Sequence, residues 1–185
     1  MIRSFIEELN NNNFTAYITG GHCYRKYFNT NEETSDYDIH IFITYKQLNN
    51  KESFTKIYNS IKVLYKNLQK EYELLPLTKF DYANYSKKYI EHNLLNKQTQ
   101  FYLHSIIADL QIEDFNNTYI DISIQVTPDI KNIKQHIEND FYISKESFIK
   151  QINNFYADLL SADNPDKDKI KKIKNRLKFI NLCKN

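Results

Sequence analysis

Tyr17-Ile18-Thr19-Gly20-Gly21, followed a short segment later by Ser35-Asp36-Tyr37-Asp38-Ile39-His40-Ile41-Phe42-Ile43, is the stretch on which the fold turns. The chain has two glycines in 185 residues, and both stand here side by side. A corner that concentrates them needs a backbone no side chain may crowd. Phe14 to Thr19 reads as a strand running into the glycines, and His22 to Phe28 as a helix leaving them, with Tyr24, Tyr27 and Phe28 on its apolar side. Gly21 is then expected at the helix N-terminus, where free N–H groups and the dipole favour an anion. Residues 36–43 alternate: Tyr37, Ile39, Ile41 and Ile43 face one way, Asp36, Asp38 and His40 the other.

Working outward, Ile2, Phe5, Ile6 and Leu9 recur at helical spacing and predict a short helix over 2–10. The polar run Asn10 to Asn13 reads as a loop, as does Asn29 to Thr34. Phe54, Ile57, Ile61, Leu64 and Leu68 mark a long helix reaching about residue 71. Pro76 breaks what precedes it. Residues 72–98 are left without a role; within them a short helix is expected around Tyr82 to His92. Phe101 to Leu110 suits a buried strand, Glu113 to Asn117 a turn, and Thr118 to Thr127 a second alternating strand ended by Pro128. In that strand Ile120, Ile122, Ile124 and Val126 oppose Asp121, Ser123 and Gln125, and the two runs are spaced to pair as an antiparallel hairpin.

The tail reads as two helices. Phe148, Ile152, Phe155, Tyr156 and Leu159 form one apolar stripe. Asn164-Pro165 offers an N-cap and a first-turn proline for the last helix. That helix is expected to turn Ile170, Ile173, Leu177 and Ile180 inward and Lys167, Lys171, Lys174 and Lys178 outward. The fold class is therefore α/β (α+β): a small mixed sheet flanked by helices, with a C-terminal helical tail. The division expected is a core over 1–143 and a helical extension over 144–185 packed on it as one domain.

Bulk composition narrows the function classes. Abundant Ile, Asn, Lys and Tyr with no Trp has the look of an AT-rich genome, which makes each tyrosine weak grounds for base stacking. A net charge of +2 is too small to act as a nucleic-acid footprint by itself. Cys23 and Cys183 give neither a disulfide framework nor a metal spacing and read as packing residues in a reducing setting. No run approaches the roughly 20 apolar residues of a membrane span. A cytoplasmic protein without membrane contact is expected.

Three carboxylates can converge if the strands are neighbours: Asp36 and Asp38 from one, Asp121 from the other. Carboxylate and phosphate oxygens suit Mg²⁺ or Mn²⁺, and two such ions can clamp the attacking and leaving oxygens of a phosphoryl transfer. The i, i+2 spacing matters because only carboxylates on one face can share an ion. Gly20 and Gly21 would hold nucleotide phosphates by backbone N–H, with Ser35 adding a hydroxyl. Each feature also has a plain structural reading. The glycines can be a strand-to-helix turn, and the aspartates can be the solvated face of half-exposed strands. His40 and His22 can be ordinary hydrogen-bonded histidines, and the tail lysines a solvated helix face.

A strand ending in Gly20-Gly21, a helix, Ser35-Asp36-Tyr37-Asp38 among apolar residues, and Asp121 on a later strand resemble the nucleotidyltransferase pattern of the DNA polymerase beta superfamily. Ile18-Thr19-Gly20-Gly21-His22 with Ser35 to Asp38 looks most like the catalytic subunits of poly(A) polymerases of large DNA viruses. The segment Lys174-Asn175-Arg176-Leu177-Lys178-Phe179 is similar to one in those proteins. The resemblance covers residues 14–127, and the tail more loosely. It implies a nucleotidyltransferase fold, a viral protein, and transfer of a nucleoside monophosphate from an NTP, ATP first, to an RNA 3′ hydroxyl. It further implies that Asp36, Asp38 and Asp121 are the catalytic, metal-binding carboxylates, and that Gly20, Gly21 and Ser35 bind the nucleotide. Such polymerases carry further RNA-gripping domains for which this chain has little room. Three alternatives therefore stay open: a protein or small-molecule hydroxyl as acceptor, an RNA-binding or processivity partner, or a non-catalytic subunit of a larger polymerase complex.

Overall fold

The computed structural model describes residues 1–31, 36–77, 105–127, 130–138 and 141–183. Ser35, the helix expected over Tyr82 to His92, residues 101–104 of the expected strand and its neighbour's stop at Pro128 lie outside the described residues. Among the described residues the elements run α1 (Ile2–Asn11), β1 (Thr15–Thr19), α2 (Gly20–Phe28), β2 (Tyr37–Ile43), α3 (Tyr45–Leu48), α4 (Lys51–Leu68), β3 (Ser105–Glu113), β4 (Thr118–Val126), α5 (Ile130–Gln135), β5 (Ile137–Glu138), β6 (Tyr142–Ile143), α6 (Lys145–Ser161) and α7 (Lys167–Leu182). This is a mixed α/β architecture.

The six strands form one mixed sheet in the order β3-β4-β2-β1-β6-β5. β1 is antiparallel to β2, β2 is parallel to β4, and β3 and β4 form the expected antiparallel hairpin. The hairpin turn is closed by Asp114, whose Oδ1 accepts from the N–H groups of Asn116 and Asn117, both at 2.7 Å. An Asp that bonds backbone two and three residues on stabilises a turn without any glycine.

Alternation puts a different core on each face of the sheet. Ala16, Ile18, Ile39, Ile41, Ile43, Leu110, Ile112, Ile120, Ile122, Ile124 and Val126 meet α1 and α4 on the first face, through Phe5, Ile6, Leu9, Phe54, Ile57, Ile61 and Leu64. On the second face Tyr17 and Phe42 meet α2, α5, α6 and α7, through Cys23, Tyr24, Phe28, Ile133, Phe148, Ile152, Ile173 and Ile180. The tail thus contributes Phe148, Ile152, Ile173 and Ile180 to the second core, and Phe42 is fully buried on the face that carries Asp38 and His40.

Local capping departs from expectation in instructive ways. The Asn10 to Asn13 run is no simple loop: Asn10 and Asn11 close α1, Asn12 is its C-cap, and Asn13 turns the chain at φ 64. Asparagine tolerates that left-handed conformation better than other residues with a Cβ. The Asn10 Oδ1 then accepts from the Ala16 N–H at 2.9 Å and pins the turn to β1. The last helix begins at Lys167, with Asp166 and not Asn164 as N-cap; the Asp166 Oδ1 accepts from the Lys169 N–H at 2.9 Å. A carboxylate at that position also complements the dipole. In α6, Phe155 is an exposed member of the expected apolar stripe, and Cys183 is exposed while Cys23 is packed. No helix among the described residues is long and apolar enough to cross a membrane.

Candidate functional site

β2 and β4 run parallel with Asp38 level with Asp121, and β1 sets Thr19 level with Asp38 on the other side. Neighbouring strands lie about 4.8 Å apart, so the two carboxylates leave the sheet from adjacent positions. Asp36 immediately precedes β2. The structure thus brings Asp36, Asp38 and Asp121 to one end of the sheet, next to the glycine corner.

That corner is built around Asp38. Gly20 has φ +64, and a Cβ placed on it would land within the Asp38 carboxylate. Only a residue without a Cβ fits both the backbone and the neighbour. Gly21, in the first turn of α2, donates its N–H to Asp38. The helix N-terminus therefore already addresses an anion, and that anion is the protein's own carboxylate; Gly20 and Gly21 stand at the site as expected.

The electrostatics follow. Burial pushes the Asp38 carboxyl up to about 6, and the charges of Asp36 and Asp121 add to the shift; the Gly21 N–H and the Arg176 guanidinium act against it. A carboxylate that loses water and gains two like charges binds its proton more tightly. This separates the pair from the solvated strand face that alternation alone allows.

Arg176 is the residue that the sequence pattern concealed. It lies on the inner face of α7, is 8% exposed, and places its guanidinium 5.0 Å from the centre of the Tyr24 ring. Polarity assigns an arginine to the solvent side, yet position 176 falls on the stripe of Ile173 and Ile180, and there a planar cation stacks on an aromatic face and leans its charge toward Asp38. α6 adds a second fastening. The Thr19 Oγ1 donates to the Gln151 Oε1 at 2.8 Å, and the Gln151 Nε2 donates to the Tyr17 hydroxyl at 3.1 Å.

In front of the carboxylates lies a cleft of about 370 Å³ lined by Asp38, His40, Gln111, Asp121 and Ser123. His40 is level with Ser123 and Gln111 with Asp121, so the floor continues the alternation of β2, β3 and β4. Its groups beyond the acids are the hydrogen-bonding side chains of His40, Gln111 and Ser123. His40 packs against Tyr17 and Phe42 with ring centres 5.6 and 6.3 Å away. His22 stacks on Tyr37 with centres 3.7 Å apart and planes 11° from parallel. Burial and Arg25 lower its pKa while Asp36 opposes them. Its observed partner is an aromatic ring.

Among the described residues, no three His, Cys, Asp or Glu side chains form a ready-made cage for a metal ion. The donors that are present are carboxylate oxygens whose mutual repulsion a divalent cation relieves, and Mg²⁺ commonly uses one or two carboxylates and keeps several waters. The donor chemistry fits such an ion. No protein-family model matches the chain, and no curated protein matches it either.

Proposed function

We propose that this protein is a metal-dependent nucleotidyltransferase of the DNA polymerase beta-like fold, moving a nucleoside monophosphate from an NTP, ATP first, to an RNA 3′ hydroxyl in the manner of a viral poly(A) polymerase. The observation that carries the reading is Asp38 level with Asp121 on parallel strands, backed by a glycine that no other residue could replace. Asp36, Asp38 and Asp121 would hold two Mg²⁺ or Mn²⁺ ions, Asp36 and Asp38 sharing both and Asp121 joining the one nearer the acceptor hydroxyl. When bound, such a cation polarises phosphate oxygens and lowers the pKa of an attacking hydroxyl. Asp38, held by the Gly21 N–H and with its charge offset by Arg176, presents its oxygens in a fixed direction. Asp121 stands on the cleft side, next to Gln111 and Ser123, whose neutral groups orient an acceptor hydroxyl by hydrogen bonding. Gly20, Gly21 and Ser35 would seat the triphosphate at the first turn of α2, beside the Asp38 carboxylate that the Gly21 N–H already holds.

A second acceptor class is favoured by one feature. Among the described residues, those lining the cleft are Asp38, His40, Gln111, Asp121 and Ser123, with no lysine or arginine, which suits a neutral hydroxyl on a protein or small molecule as well as it suits the end of an RNA. A partner protein that keeps hold of a growing strand belongs with the first acceptor.

The test is a transfer assay with Mg²⁺ or Mn²⁺, each labelled NTP in turn and a short RNA primer, with Asp36→Ala/Asp38→Ala as control. Primer extension that the double variant lacks supports a terminal transferase and names its nucleotide. NTP binding that needs the metal and the aspartates, without extension, redirects the search to another acceptor or to a required partner. A well-folded Asp38→Ala protein that still transfers nucleotide overturns the mechanism.

A further inference from the structure

The chain's modest net charge conceals a strong segregation. From Lys169 to Asn185 there are seven Lys or Arg and no Asp or Glu, so the net +2 is +7 in this segment against −5 in the rest. Nearly all of that charge is on α7. Its inner face is spoken for: Ile173, Arg176 and Ile180 are buried against the second core. Lys167, Lys171, Lys174 and Lys178 are exposed. At i, i+4, i+7 and i+11 they fall in one row along the helix, covering about 16 Å at 1.5 Å per residue. Lysines three and four apart repel one another on a helix surface, and the buried inner face holds this row rigid in spite of it.

We propose that the outer face of α7 is a binding surface for the phosphate backbone of single-stranded RNA, with Lys167, Lys171, Lys174 and Lys178 as its phosphate contacts. An even row of like charges on a rigid rod matches a partner whose own charge repeats at short intervals, which is the property of a nucleic-acid strand. An anionic membrane is the poorer match. A helix that lies on lipid turns a continuous apolar face to the bilayer, whereas Ile173 and Ile180 of α7 are buried in the second core and only Phe179 and Leu182, at its C-terminal end, are exposed apolar side chains. The choice of RNA as the strand rests on the acceptor proposed above; the surface itself does not depend on catalysis. It would supply a grip on phosphates that the aspartate-bearing cleft floor does not.

The experiment is fluorescence anisotropy of a labelled 20-nucleotide RNA with the intact chain, in EDTA and without NTP, across 50 to 200 mM salt. Catalysis is silent under these conditions, so failure of the transfer reaction and failure of this proposal are read separately. Four phosphate contacts to a single strand contribute a slope of about −2.8 in log K against log salt, or roughly a fifty-fold loss of affinity over that range. Lys167→Gln/Lys171→Gln/Lys174→Gln/Lys178→Gln, with unchanged thermal unfolding, is expected to lose that part of the slope. The matching four-fold Lys→Arg variant is expected to keep it. A Gln variant with wild-type affinity and slope overturns the proposal, as does wild-type binding to phosphatidylserine vesicles without binding to the RNA.

Discussion

Asp38 and Asp121 stand level on parallel neighbouring strands, and burial, with the charges of Asp36 and Asp121 adding to it, raises the Asp38 carboxyl to about 6 where 3.8 is ordinary. The native state therefore binds more protons than the unfolded chain between these values, so unfolding free energy falls as pH rises through them. The single-group effect is of order 3 kcal/mol. Asp38→Asn keeps an oxygen for the Gly21 N–H and removes the charge. In EDTA it should be more stable than the wild type at pH 7.5 by about 1–3 kcal/mol, with the difference shrinking toward zero at pH 4. Urea denaturation at the two pH values measures it; a variant less stable than the wild type at pH 7.5 would contradict the account.

Gly20→Ala should be costly for two separable reasons. A left-handed backbone costs a residue with a Cβ on the order of 1–3 kcal/mol, and the Cβ would displace the Asp38 carboxylate as well. In an Asp38→Ala background the clash with the carboxylate is gone, leaving the backbone part and a contact at 3.0 Å with the Cβ of residue 38. A double-mutant cycle by chemical denaturation should therefore show Gly20→Ala costing less once Asp38 is gone.

Arg176→Met should destabilise by about 1–3 kcal/mol through the loss of a buried, ring-stacked cation. It should also push the Asp38 pKa higher still, which a carboxyl NMR titration reads directly. Arg176→Lys should recover little, because an ammonium lacks the flat face that lies on Tyr24.

Gln151→Leu removes both hydrogen bonds between α6 and β1 and leaves the Tyr17 and Thr19 hydroxyls without that partner. A loss of about 1–3 kcal/mol is expected. Hydrogen exchange should show α6 opening more readily while α1 and α4, on the opposite face, keep their protection.

What could be read from the residues was whatever repeats. Alternation marked β2 and β4 and put Asp38 and Asp121 each on the polar side of its strand, while the adjacency of the two strands came only with the sheet order; the spacing of Phe5, Leu9, Ile57, Ile61 and Leu64 marked α1 and α4. Elements too short to repeat escaped: α3 has four residues, and β5 and β6 have two each. The start of α7 was misplaced because Asp163, Asn164 and Asp166 are all competent caps, and only the bond from the Lys169 N–H to Asp166 chooses among them. Arg176 escaped for a different reason. Polarity patterns place cations outside, whereas a guanidinium against Tyr24 and near Asp38 is satisfied inside. The cleft residues Gln111 and Ser123 gain meaning only from the register that sets them beside Asp121 and His40.

The second core joins residues that lie far apart in the order of synthesis. A ribosome delivers Tyr17, Phe42 and the Asp38 corner early, while Phe148, Gln151, Ile173 and Arg176 arrive more than a hundred residues later. Until then the nascent chain can form the α1–α4 side of the sheet but has nothing to lay over the other. Pairing of β2 with β4 brings Asp38 beside Asp121, but the Arg176 guanidinium that offsets the charge of Asp38 arrives only with α7. Assembly of the site is thus a late event of translation, and a chain that stalled before α6 would have its acids without the setting that sharpens them.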